Sequence, residues 1–253
     1  TFGTPWEDAF RRDFTVNGLF YNIADFSIID YVGGLDDLAD GLIRCIGEPE
    51  VRFREDPIRM LRCVRFASLL DFDIDEESVK AIRSNKDEVW KGAMPRILEE
   101  VLRMLGRGTG KRSALLLKEL NLLSTLFPEI HAHAQTESLD PYLEIMEGLD
   151  DRFRAGGDVP PWLILSCLFY PLFEHSRPRE GKSDLMRLAR ETVSDTCMRL
   201  QIPKKTRDRM KQVMAAQGRL FGLDTSRFHP RAILGKSYVA DAFTMFEIIA
   251  GGS

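Results

Sequence analysis

Three stretches of this sequence collect side chains that can handle phosphate, cations or a nucleobase. The first is Arg11-Arg12-Asp13-Phe14-Thr15-Val16-Asn17. Its carboxylate suits a hard cation such as Mg²⁺, and its guanidinium forks suit phosphate or ribose oxygens. The same residues also suit an ion pair at the edge of a strand. The second is Asp30-Tyr31-Val32-Gly33-Gly34-Leu35-Asp36-Asp37-Leu38. It reads as a strand, a glycine turn and a helix start, with Asp36 favourably placed at the helix N-terminus. The third is Arg54-Glu55-Asp56-Pro57-Ile58-Arg59-Met60-Leu61-Arg62-Cys63-Val64-Arg65-Phe66. Pro57 fits the first turn of a helix and Asp56 its cap. Arg59, Arg62 and Arg65 recur every third residue, so they form one slowly drifting basic stripe. Asp56, three residues before Arg59, shares its face. An acceptor beside a donor fork can read the hydrogen-bonding edge of a base, while the further arginines meet a triphosphate. A ladder of surface ion pairs with Glu55 and other acids would use the same residues.

The elements that must hold these groups change character along the chain. Residues 1–47 read as mixed α/β. Phe14 to Tyr21 and Phe26 to Val32 are rich in β-branched and aromatic residues, as strands are. Asp36 to Gly41 reads as a short helix and Leu42 to Ile46 as a short strand. From Pro49 onward the pattern is helical. Ile58, Leu61, Val64 and Leu69 lie on one apolar face, and Asp75 and Ser78 cap a helix through Val79–Ile82. Ile97, Leu98, Val101, Leu102 and Leu105 mark another helix, ended by the glycines from Gly106. Ser113 to Leu123 marks a third. Helices continue from 129 to 253, with breaks at Gly156-Gly157, Pro160-Pro161 and Pro203. The expected fold is mainly α, a mixed α/β piece followed by a long all-α region.

The 253 residues carry a net charge of −4, with 44% hydrophobic and 29% charged side chains. That composition excludes general disorder. No apolar run approaches the ~20 residues that a membrane helix needs. The average hides a gradient: residues 1–44 hold 3 basic and 8 acidic side chains, and residues 177–219 hold 12 and 5. The second stretch includes Lys204, Lys205, Arg207, Arg209 and Lys211, a helical surface suited either to an RNA phosphate backbone or to solvent. Cys45, Cys63, Cys167 and Cys197 form no CxxC pair, so they read as reduced, buried thiols of a cytoplasmic protein. His131 and His133 fall in an expected loop with no companion at metal-ligand spacing.

Taken together, in this order and spacing, the three stretches resemble the class II tRNA nucleotidyltransferase/poly(A) polymerase family. The resemblance is strong over residues 7–70 and looser through Leu115–Pro128. Gly18-Leu19-Phe20-Tyr21 and Tyr31-Val32 are more like the bacterial poly(A) polymerase branch than the CCA-adding one. The resemblance implies a remnant of the nucleotidyltransferase head over 1–47, a helical neck over 48–125 and an all-α, RNA-binding body over 126–253. It implies that Asp13 is the family's third catalytic carboxylate and a Mg²⁺ ligand. It implies nucleotide contacts at Arg12, Asp56, Arg59, Arg62 and Arg65, with Asp56 and Arg59 reading the incoming base. The family's first two catalytic aspartates follow a Gly-Gly-x-Val-Arg-Asp motif that these residues lack; Asp71-Phe72-Asp73 lies after the arginine motif, in a turn, and does not replace them. The expectation is therefore the back part of a longer enzyme that transfers AMP from ATP to an RNA 3′ end. A CCA-adding enzyme and a non-catalytic RNA-binding relative are the alternatives.

Overall fold

The computed structural model describes residues 3–178, 184–221 and 235–251, and these are mainly α-helical. They divide into two compact units, residues 1–104 with 116–125, and residues 105–115 with 126–253.

The first unit opens with α1 (Pro5–Arg11), whose start is fixed by a capping box between Thr4 and Glu7. The expected long strand over 14–21 does not form. Thr15–Asn17 coils into a 3-10 turn and only β1 (Phe20–Tyr21) is extended. Side-chain bonding drives this departure: the Thr15 hydroxyl donates to Asp37 at 2.7 Å and the Asn17 amide to Asp13 at 3.0 Å, which favours a turn over a ladder. β1 pairs antiparallel with β2 (Ile28–Ile29), which is also shorter than its apolar run suggests. The glycine motif then turns the chain into α2 (Gly34–Asp40). Asp30 accepts from the backbone N–H groups of Val32, Gly33 and Leu35. Burial raises the pKa of this carboxyl, and those donors together overcome it to hold the group below its usual range. Gly33 has φ +78°, and a Cβ at Gly34 would lie 2.2 Å from the Thr15 carbonyl oxygen, so both glycines are needed. The motif is a structural brace, as its pattern predicts.

β3 (Leu42–Ile43) pairs parallel with β4 (Asp73–Ile74), a strand too short to show in the sequence. Between them run α3 (Pro49–Glu55) and α4 (Ile58–Leu70). Ile58, Leu61, Cys63, Val64 and Ala67 of α4 are buried, and α4 packs on α3 and β3. Asp75 caps α5 (Glu76–Asn85) by accepting from Ser78, as expected. α6 (Met94–Leu105) buries Ile97, Glu100, Val101, Met104 and Leu105.

The expected helix over 113–123 is two helices, α7 (Gly110–Glu119) and α8 (Leu122–Leu126), separated where Asn121 takes φ +60°. In the second unit, His131 and His133 lie within α9 (Pro128–Thr136), not in a loop; Pro128 starts that helix. α10 (Asp140–Arg154) and α11 (Pro161–His175) follow. α11 is apolar over Leu163–Phe173 and is the most buried of the described helices of its unit. α12 (Leu185–Arg199), α13 (Lys204–Leu220) and α14 (Val239–Gly251) pack with it. No described helix is long and apolar enough to cross a membrane.

Candidate functional site

The first and third chemical motifs meet in the first unit. Asp8, Arg11, Arg12, Asp13, Asn17, Asp56, Arg59, Arg62, Phe66 and Arg96 line a groove of about 600 Å³, within the usual range for a small-molecule site. Five arginines face three aspartates there, so the groove is net positive and suited to a polyanion.

Asp13 sits in the bridge that joins Phe14 to Cys45 and is 8% exposed. One carboxylate oxygen accepts from the Phe14 N–H and the Asn17 amide, both at 3.0 Å. The other accepts from Arg62 Nε at 2.6 Å and Nη2 at 2.5 Å. Arg62 also reaches Glu100 at 3.7 Å and lies over the Phe66 ring. Arg12 is tied to Asp8 at 2.9 Å, donates to the Asn17 carbonyl and covers the Phe20 ring. The expected pair at the groove's other end is also held. Arg59 donates to the Arg52 carbonyl at 2.9 Å and reaches Glu55 at 3.5 Å. Asp56 accepts Arg96 through both oxygens, at 3.0 and 3.4 Å, and accepts the Ile58 N–H.

Arg65 departs from its neighbours on the stripe. It does not line the groove but bonds the buried Glu100 at 2.7 Å and stacks on Phe66 at 4.1 Å. A step of three residues rotates the helix by 300°, so by Arg65 the stripe has drifted from the groove toward α6. Two residues that motif reading does not find, Arg96 and Glu100, both come from α6. They lie one turn apart on one face of that helix, which is the sequence signal for them.

The family resemblance implies a metal ion at Asp13. Asp13 has its acceptor positions filled by Arg62, Asn17 and Phe14. Among the described residues no group of three or more His, Cys, Asp or Glu is placed to hold a metal ion. The described residues therefore do not fit a divalent cation by themselves. Nor is there an activated thiol at Cys45 or Cys63: burial pushes the Cys45 thiol up to about 11 and raises Cys63 well above its usual range.

The expected RNA-contacting residues lie in the second unit, on α13. Lys204 and Lys205 are exposed in its first turn. Arg207 is partly buried; Arg209 bonds Asp241 at 3.1 Å and the Ser237 carbonyl, and Lys211 bonds Asp208 at 2.7 Å. Arg179 and Lys182 of the same basic stretch lie outside the described residues.

A family model described as "Poly A polymerase head domain" matches residues 2–44. A second, described as "Probable RNA and SrmB- binding site of polymerase A", matches residues 71–133. Poly(A) polymerase I of Salmonella typhimurium is 38% identical over 231 residues, covering 87% of this chain and 50% of that protein. A CCA-adding enzyme of Lactobacillus helveticus is 36% identical over 144 residues, covering 57% of this chain and 36% of that protein. The structure of the Thermotoga maritima CCA-adding enzyme complexed with tRNA shares the fold, with a TM-score of 0.66 and 22% identity, over 97% of this chain and 57% of that one. This chain thus spans about half the length of the poly(A) polymerases it matches.

Proposed function

The chain belongs to the class II tRNA nucleotidyltransferase/poly(A) polymerase family, and from that premise we propose that it carries the nucleotide-selecting part of an enzyme adding AMP from ATP to RNA 3′ ends. The observation that carries this reading is the convergence of Arg11, Arg12, Asp56, Arg59 and Arg62 on one net-positive groove. Asp56 accepts from the exocyclic amine of adenine and Arg59 donates to the neighbouring ring nitrogen, so the protein takes the place of a template. Arg11, Arg12 and Arg62 meet the triphosphate and offset the charge that develops as the RNA 3′-hydroxyl attacks the α-phosphorus and pyrophosphate leaves. Asp13 holds Arg62 at that task, and in the family's chemistry it is the candidate third carboxylate for Mg²⁺. Divalent ions supply activation of the hydroxyl and charge neutralisation in such reactions. The described residues of this chain do not suffice to hold them. In functional terms residues 1–47 act as head, 48–125 as neck and 126–253 as an RNA-holding body, in a protein working in the cytoplasm.

The test is ATP binding by the chain, followed calorimetrically. The wild type is expected to bind ATP, with Asp56→Ala and Arg59→Ala each losing about tenfold in affinity, the scale of one charge-assisted hydrogen bond. Unchanged affinity in both variants would remove the base-reading role. The likeness to CCA-adding enzymes supports a second reading, in which CMP is added as well. Extension of generic RNA with ATP alone, set against extension of tRNA lacking its 3′ end, separates them: long A tracts or a defined three-nucleotide addition.

A further inference from the structure

Deepening the reading of this same groove, we infer that Arg96 is a specificity-determining positioning residue that selects adenine over cytosine by fixing Asp56. Both bases present an amino donor next to a ring-nitrogen acceptor on their pairing edge. Guanine and uracil present a carbonyl acceptor next to an N–H donor. An acceptor–donor pair such as Asp56 and Arg59 thus rejects guanine and uracil by polarity alone. It cannot separate adenine from cytosine in that way. What differs between those two is where the edge lies, because a purine extends further from the ribose than a pyrimidine. The discrimination falls on the position of the reading atoms, so it depends on how firmly they are held.

In this structure each reader is held by a group outside the pair. Arg59 is 15% exposed and anchored on the Arg52 carbonyl and Glu55, both on α3, beside its own helix. Asp56 lies between α3 and α4 and is 30% exposed; its fixed partner is the Arg96 fork, 40 residues away on α6. The bidentate contact sets both position and tilt of the carboxylate, which a single point charge does not do. Oδ1 also accepts the Ile58 N–H, while Oδ2 has Arg96 alone and keeps a further lone pair for the base. Arg96 itself is 54% exposed.

The experiment measures the affinity of the chain for ATP, CTP and GTP in wild type, Arg96→Met, Arg96→Lys and Asp56→Ala. Arg96→Met is expected to reduce the ATP-to-CTP preference by about tenfold while GTP stays excluded. Arg96→Lys, which keeps the charge and loses the fork, is expected to restore little of that preference. If Arg96 instead contacts the triphosphate, Arg96→Met weakens ATP and CTP equally and the preference is unchanged, which overturns the inference. An unchanged affinity for every nucleotide overturns it too. A wild-type chain that binds ATP no better than Asp56→Ala does refutes the base-reading role of the groove, and with it the inference that rests on it.

Discussion

Asp13 makes the ion pair on which the groove's shape most directly depends. It is nearly buried, its carboxylate bonds to Phe14, Asn17 and Arg62, and it links the turn after α1 to the middle of α4. Removing one partner of such a pair leaves the other with an uncompensated charge. Arg62 keeps some solvent and keeps Glu100 at 3.7 Å, so Asp13→Ala is expected to cost about 2 kcal/mol, less than the roughly 3–5 kcal/mol of a fully buried pair that is broken. Urea denaturation of the chain measures this; a midpoint within error of wild type would show that Arg62 re-pairs without loss. How much was legible at this scale follows from distance along the chain. Asp56, Arg59 and Arg62 stand within one helical turn of one another or two, so their spacing alone places them together. Arg96 and Glu100 act on them from another helix, and no local pattern ties residue 96 to residue 56. Arg65 shows the converse: the regular spacing that suggests a common role carries it around the helix and onto Glu100.

Elements set by repeated apolar spacing, such as α4 and α6, match their expected ranges closely, because burial of one face decides them. The short head elements do not, because there side-chain bonds outcompete β propensity, as Thr15 with Asp37 and Asn17 with Asp13 show. α9 was hidden for another reason: a proline reads equally as the end of one helix or the start of the next. Placing His133 on α9 has a consequence. Its Nδ1 meets the Tyr142 hydroxyl of α10 at 2.7 Å, its ring lies 4.6 Å from that of His175 at the end of α11, and its Nε2 is buried without a partner. Burial, then the neighbouring His175, lower its pKa from the usual 6.5, against a smaller opposing effect of Glu137. A histidine kept neutral by the fold binds its proton more readily when unfolded. The stability it contributes is therefore complete above pH ~6.5 and is lost as pH falls through its lowered native value. Between pH 7 and pH 5 the urea midpoint of the wild type should fall more than that of His133→Gln, which can still accept the Tyr142 hydroxyl. Parallel curves for the two proteins would show that His133 does not titrate on unfolding.

At the scale of the whole chain, charge is the property that the formal total of −4 conceals. Half of the ten described basic residues between 177 and 219 are paired internally: Arg177 with Glu174, Arg187 with Glu191, Arg199 with Glu129, Arg209 with Asp241 and Lys211 with Asp208. The last contact is tight enough that Lys211 beside Asp208 holds its carboxyl below the usual range. Lys204 and Lys205 differ. They stand exposed in the first turn of the 17-residue α13, which has no acidic residue in that turn and no side-chain cap. Two cations at the positive end of a helix dipole repel it and each other, an arrangement that an RNA phosphate would relieve. A basic count along the sequence cannot separate these two lysines from Arg209 and Lys211, because it does not see which carboxylates answer them. The structure makes the separation, and RNA binding can test it. The affinity of the chain for a generic single-stranded RNA should fall with salt. Lys204→Ala/Lys205→Ala should make the log–log slope shallower by about 1.4, at ~0.7 per released phosphate contact on a single strand. Lys211→Ala, which removes a lysine already bound to Asp208, should leave the slope unchanged. Equal changes for the two variants would mean that α13 contributes only its overall charge. No change in either would move the RNA contact away from α13, and residues 71–133, where the family's RNA-binding model matches, would be the next surface to probe.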